Sequence, residues 1–200
     1  FKRWYAQAGT PRVTARGRHD AAARTYTLTL EQHCPPSPGQ PHKQPFVIPV
    51  AAGLLGRDGA ALPLRLAADG EAADERLLVL DAASASWTFH GIDETPVPSL
   101  LRGFSAPVRL DDGADDDALL LRLAHDADPF NRWDAGQRLA LARMQRALAA
   151  QALPHLDDAF VDAMRCVVLL MFKRHCVKKV SQFASVGPFA LEQPNWKNSA

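Results

Sequence analysis

The sequence predicts an α+β chain divided by segments, with an antiparallel two-sheet β-sandwich over residues 1–110 and the first helices of an α-helical domain over residues 111–165. Two observations carry this. Short apolar stretches alternate with period two and are separated by turn signals at the spacing of a β-sandwich up to residue 110. From Asp111 the apolar spacing changes to steps of three and four. A third segment, residues 166–200, follows neither pattern.

Within the first segment, Arg12 to Arg16 alternates, and Thr25 to Leu30 does so more clearly, with Tyr26, Leu28 and Leu30 on one face and threonines on the other. Pro35, Pro36, Pro38, Gly39 and Pro41 form a breaker-rich connection. Pro45 to Leu55 is apolar and extended, Arg57-Asp58-Gly59 supplies a turn, and Ala61 to Leu66 completes a hairpin. Arg76 to Leu80, Ser86 to His90 and Phe104 to Leu110 bring the total to about seven strands.

Asp111, Asp112, Asp115, Asp116 and Asp117 precede Leu119 to Ala124 and read as a solvated helix start, since acidic groups complement the positive N-terminal end. Asp128-Pro129 is an N-cap followed by proline at the first helical position, where a missing N–H costs nothing. Phe130, Trp133, Gln137, Ala140, Met144 and Leu148 mark one face of an amphipathic helix ending near Ala152. Asp157-Asp158 starts a third helix through Phe160, Val161, Met164 and Val168. Residues 181–200 read as loop or disorder.

Composition removes several functional classes. The chain has 200 residues, is 47% hydrophobic, has a mean hydropathy of −0.17 and carries a net charge of +1, which argues against disorder and against nucleic-acid binding by bulk charge. No apolar run approaches the ~18 residues of a membrane span, and with no apolar stretch behind Phe1-Lys2-Arg3-Trp4-Tyr5 the expectation is of no signal peptide. Cys34, Cys166 and Cys176 do not form a disulfide framework, so the expectation is a reducing, cytoplasmic compartment. The first residue is not Met, so the expectation is also of an interval from a longer protein.

The charge is uneven. Residues 1–165 carry a net −3 and use arginine almost exclusively, whereas residues 166–200 carry a net +4 and hold four of the six lysines. A shifted reading frame or a disordered end would account for such a divergent basic tail. Lys173, Arg174, His175, Lys178 and Lys179 could meet phosphate or an acidic partner, but a solvated face is the simpler reading.

No catalytic constellation emerges. The histidines at 19, 33, 42, 90, 125, 155 and 175 form no H-E-x-x-H, and His33-Cys34 and His175-Cys176 lack the further ligands of a zinc site. Gly53, Gly56 and Gly59 read as turn punctuation, and no G-x-S-x-G is present. Phe130 and Trp133 read as core. Trp4 and Tyr5 read as a segment parted from an upstream packing partner.

Specific words in the sequence go further. Phe1-Lys2-Arg3-Trp4-Tyr5-Ala6-Gln7-Ala8-Gly9-Thr10-Pro11 resembles the segment that follows the catalytic domain in bacterial aminopeptidase N, the zinc-dependent alanyl aminopeptidases of the gluzincin group. Tyr26 to Leu30 with its Pro-rich turn, Lys43 to Pro49, Pro96 to Val108 and Asp128 to Gln137 are similar to later blocks of the same family, in the same order. The resemblance covers residues 1 to about 165 and implies an Ig-like sandwich and the start of a superhelical domain.

In that family zinc is held by two His and a Glu, with a Glu base and a Gly-x-Met-Glu-Asn strand. None of these motifs occurs here, so no catalytic, cofactor-binding or metal-binding residue is carried over. The expectation is a non-catalytic fragment, inactive alone, whose sandwich links catalytic and helical domains. Its partners would be the parent's other domains, and peptides only through the parent. An independent sandwich-plus-helix interaction module is the other reading.

Overall fold

A computed structural model describes residues 2–151 and 157–169. The expectations for residues 181–200, for the basic cluster and for His155 and His175 lie outside the described residues.

The chain begins with a helical turn, α1 (Arg3–Ala6), then β1 (Arg12–Asp20) and β2 (Thr25–His33), which pair antiparallel from Arg12↔His33 to Asp20↔Thr25. β3 (Ile48–Leu55), β4 (Ala61–Leu62), β5 (Arg76–Leu80), β6 (Ser84–His90), β7 (Val97–Leu100) and β8 (Arg109–Asp111) follow. One sheet has the order β6-β2-β1-β8. The other is built on β3, which pairs antiparallel with β4, β5 and β7.

The alternation read in β2 is the packing observed. Tyr26, Leu28 and Leu30 are buried. On the opposite face Thr27 and Thr29 share hydroxyl hydrogen bonds with Thr88 and Ser86 across the strands, at 3.0 and 2.8 Å. Those inward residues meet Ile48, Val50, Leu54, Leu78 and Leu80 from the second sheet in one core. Nearly all of β3 is buried, as expected of a strand covered on both faces.

Three details correct the expected strands. Val97–Leu100 is a strand although Pro96 and Pro98 punctuate it. Of the expected strand Phe104 to Leu110 only the end is a strand, which runs Arg109–Asp111, and Phe104 belongs to a 3-10 turn over Arg102–Phe104. That last strand runs parallel to β1, through Arg12↔Arg109, so the sheet is not wholly antiparallel.

Trp4 is also seated rather than parted from a partner. Its ring lies 4.7 Å from that of Phe46, and its indole N–H donates to the Val47 carbonyl at 2.8 Å. Tyr5 is exposed.

Two helices follow the sandwich, α2 (Asp116–His125) and α3 (Pro129–Ala149), and residues 158–169 form a third helical stretch, α4. Each start is capped as its sequence suggests: Asp115 accepts from the Ala118 N–H, Asp128 from Asn131 and Asp157 from Phe160. The buried face of α3 differs from the expected one. Asn131, Ala135, Leu139 and Arg143, at steps of four, turn inward against Leu119 and Leu123 of α2 and Ala163 of α4. Trp133, Met144 and Leu148 are exposed.

Candidate functional site

The chemistry of this chain is concentrated where the sandwich meets the helices. Two buried ionic clusters sit there, and sequence reasoning found neither.

The first centres on Arg102, in the 3-10 turn after β7. Its side chain is 7% exposed and that of Asp126, between α2 and α3, is fully buried; they pair at 3.0 Å. Arg102 Nε donates to Ser99 Oγ at 2.9 Å, and Asn131 Nδ2 from α3 donates to the same hydroxyl at 2.8 Å. Asp126 Oδ1 also accepts the backbone N–H of Asp128 at 2.9 Å. The N-cap carboxylate of Asp128 reaches back to the Gly103 N–H at 2.9 Å, so one side chain caps α3 and holds the 3-10 turn.

Gly53 explains how the arginine fits. A Cβ at this position would lie 2.6 Å from Arg102 Cζ. Gly53 is therefore not turn punctuation but an interior residue of β3 that leaves room for a guanidinium. Gly59, with φ +80°, does serve the turn.

The second cluster centres on Asp112, whose side chain is fully buried between Arg122 at 2.6 Å and Arg138 at 2.9 Å. Burial works against the charge, but the hydrogen bonds and positive charges of Arg138 and Arg122 outweigh it. They hold the carboxyl far below the ordinary carboxylate range. The acidic run is thus not uniformly solvated, since one of its members joins β8 to α2 and α3. Nearby, burial pushes the Tyr26 phenol up to about 12, with the Arg122 charge opposing it. A cleft of about 200 Å³ between sheet and helix is lined by Tyr26, Asp112 and Arg122.

The remaining sequence candidates are dispersed. His33 is exposed at the end of β2, while Cys34 is buried with its Sγ toward the Ala8 carbonyl. His19 contacts the Ile92 carbonyl and Thr95. Cys34 and Cys166 are free thiols. Among the described residues no three His, Cys, Asp or Glu side chains gather as metal ligands would, so these residues do not fit a zinc ion. Also among them, no helix is long and apolar enough to cross a membrane. Phe130 and Trp133 are not core. The Phe130 ring lies 5.2 Å from that of Phe104 and 5.9 Å from that of Trp133, and Trp133 is 58% exposed.

What this arrangement can do is hold two units in fixed register. Buried multi-donor arginines set the orientation of the groups they bridge.

Comparison with known proteins agrees with the architecture. Residues 9–113 match the family described as "Domain of unknown function (DUF3458) Ig-like fold", and residues 116–196 match "Domain of unknown function (DUF3458_C) ARM repeats". The second match runs through the basic segment that composition sets apart. Aminopeptidase N of Caulobacter vibrioides is 46% identical over 164 residues, covering 82% of this chain and 18% of that protein. Aminopeptidase N of Escherichia coli K12 is 36% identical over 167 residues, covering 80% of this chain and 19% of that protein. Among solved structures, Legionella pneumophila aminopeptidase A in complex with aspartic acid aligns with a TM-score of 0.64 and 25% identity, over 80% of this chain and 17% of that one. This chain spans about a fifth of the length of the relatives it matches.

Proposed function

We propose, since this chain belongs to the DUF3458 family of Ig-like domains, that it is the non-catalytic support of a zinc-dependent aminopeptidase, with the sandwich joining a catalytic domain to a helical one. The parent enzyme would remove N-terminal residues from peptides in the cytoplasm, and its zinc would be held by residues outside this chain. The free thiols of Cys34 and Cys166 suit a reducing compartment.

The observation that carries this reading is the pair of buried ionic clusters. A linker that merely tethered two domains would need no buried charge. A spacer that fixes their relative position needs directional contacts, and Arg102–Asp126 and Asp112–Arg122–Arg138 supply them from both sides of the boundary. Positioning matters to an enzyme because misplacing a reacting group by about 1 Å can cost about a hundredfold in rate.

Two experiments test it. The chain, incubated with zinc and an alanyl anilide, gives no turnover above buffer; measurable turnover refutes the non-catalytic assignment. Residues 10–169 are then put in place of the equivalent segment of the Caulobacter vibrioides relative. A folded chimera retains peptidase activity if the segment is a support, and a folded but inactive chimera refutes that role.

A further inference from the structure

Strand β5 forms one edge of the second sheet, since among the described strands it pairs with β3 alone. Opposite Val79 stands Pro49, which has no N–H to give, so that pair falls between the ladder hydrogen bonds. Leu78 and Leu80 carry the bonds to β3 instead, opposite Val50 and Ile48. The N–H and C=O groups of Leu77 and Val79 therefore point away from β3, and nothing among the described residues hydrogen-bonds them.

The side chains of the same two residues are uncovered. Leu77 is 63% exposed and Val79 48%, on the face turned away from the core, whereas Leu78 and Leu80 are buried. Proteins ordinarily blunt a sheet edge with a charge, a proline or a bulge, and from Leu77 to Leu80 this edge carries neither charge nor proline. Charge flanks it instead. Residues 69–81 hold Asp69, Glu71, Asp74, Glu75 and Asp81, all exposed, against Arg76 as their one cation. Glu75 keeps a contact with Arg102 at 3.5 Å.

We propose that β5 is a docking edge for a strand from the part of the parent enzyme that this chain does not span, a segment apolar at alternate positions and basic at both ends. The proposal rests on the support role given above. An added strand satisfies the outward backbone groups of Leu77 and Val79 and lays apolar side chains beside theirs, and its basic ends meet the flanking acids. A second copy fits badly: a twofold antiparallel pair with its apolar faces on one side is centred on Leu78 and sets Glu75 opposite Asp81, acid against acid. A separate chain fits badly too. One strand laid on so short an edge buries far less than the ~1,200 Å² of a stable interface, so a lasting occupant is tethered, at an effective concentration in the millimolar range. This chain spans about a fifth of the relatives' length, which leaves such a parent ample tethered chain to supply it.

Amide hydrogen exchange, read residue by residue, tests this by comparing the full chain alone with the Caulobacter vibrioides chimera that carries residues 10–169. The Leu77 and Val79 amides are expected to exchange at least about tenfold more slowly in the chimera, with Leu78, bonded to β3 in both, as the reference. Asp74→Lys/Asp81→Lys, which leaves the backbone intact, removes that difference. Equal exchange in the two proteins overturns the proposal, whether both are fast or both slow. A folded, active chimera with equal exchange overturns the docking edge and leaves the support role standing; a folded, inactive chimera with slowed exchange does the reverse. A second measurement needs no chimera. A synthetic peptide of alternating valine and threonine with lysines at both ends, added to the full chain at millimolar concentration, slows the same two amides, and a version with glutamates at both ends does not. Equal effects of the two peptides, or none from either, overturn the proposal.

Discussion

Replacing Asp126 by alanine tests whether the boundary is a rigid joint. The substitution removes the carboxylate 3.0 Å from Arg102 and the acceptor of the Asp128 N–H, while leaving an arginine side chain that is 7% exposed. Removing one partner of a buried pair costs about 3–5 kcal/mol, because the other charge stays buried and uncompensated. The lower end applies here. Arg102 keeps its Ser99 hydrogen bond and a contact with Glu75 at 3.5 Å, but Glu75 is 52% exposed and its help is screened by water. A loss of about 3 kcal/mol, against a urea m-value of roughly 1–3 kcal/mol/M, lowers the midpoint by about 1–3 M. Urea unfolding followed at 222 nm measures this. The double variant Arg102→Met/Asp126→Leu, which removes both charges, returns to within about 1 kcal/mol of the unsubstituted chain or exceeds it. A loss below about 1 kcal/mol for Asp126→Ala would refute the reasoning, as would a double variant no better than the single one.

Gly53→Ala places a methyl 2.6 Å from the Arg102 guanidinium and costs about 1–3 kcal/mol, and the penalty shrinks in an Arg102→Ala background; additive penalties in the same unfolding assay contradict the cradle. Asp112 has a folded pKa held below its unfolded value, so its contribution is full above about pH 4 and fades as pH falls further. The stability difference between the unsubstituted chain and Asp112→Asn therefore narrows from pH 5 to pH 3, and a constant difference across that range excludes this linkage. Asp128→Ala removes the N-cap of α3 and the acceptor of the Gly103 N–H together, so its cost exceeds the ~1 kcal/mol of an ordinary cap; Asp115→Ala, which caps only α2, provides the comparison.

The fold was legible where one face of an element had a single task. Tyr26, Leu28 and Leu30 alternate with threonines because one face of β2 meets the core and the other meets water. The Asp128-Pro129 helix start was legible because capping is local. Legibility failed where an element served two neighbours. Helix α3 has an apolar stripe through Trp133, Ala140 and Met144 and a second inward face through Asn131, Ala135, Leu139 and Arg143. Hydropathy favours the first, whereas contact with α2 selects the second, whose two polar members a hydropathy reading assigns to water. β7 was hidden by Pro98, which pairs opposite Leu54 as a short strand can allow.

The junction was hidden for a different reason. Asp112 is ten residues from Arg122 and twenty-six from Arg138, and Arg102 is twenty-four from Asp126, so no local window contains either cluster. One trace was nevertheless present in composition, because residues 1–165 use arginine almost to the exclusion of lysine. A solvated surface has no need of that choice, since lysine serves equally well in water. A buried pair does, because the guanidinium is less strongly hydrated and distributes several donors at fixed angles. Arg102 uses this geometry to meet Ser99 and Asp126 at once, and Arg138 uses it to grip both oxygens of Asp112. Arg102, Arg122 and Arg143 are each no more than 8% exposed and place charge inside the protein, whereas Arg12, Arg16, Arg24, Arg57 and Arg146 are exposed, so the arginine bias records buried charge only in part. The near-neutral total charge conceals this, since each buried arginine is matched by an aspartate and the pair leaves no mark on the sum.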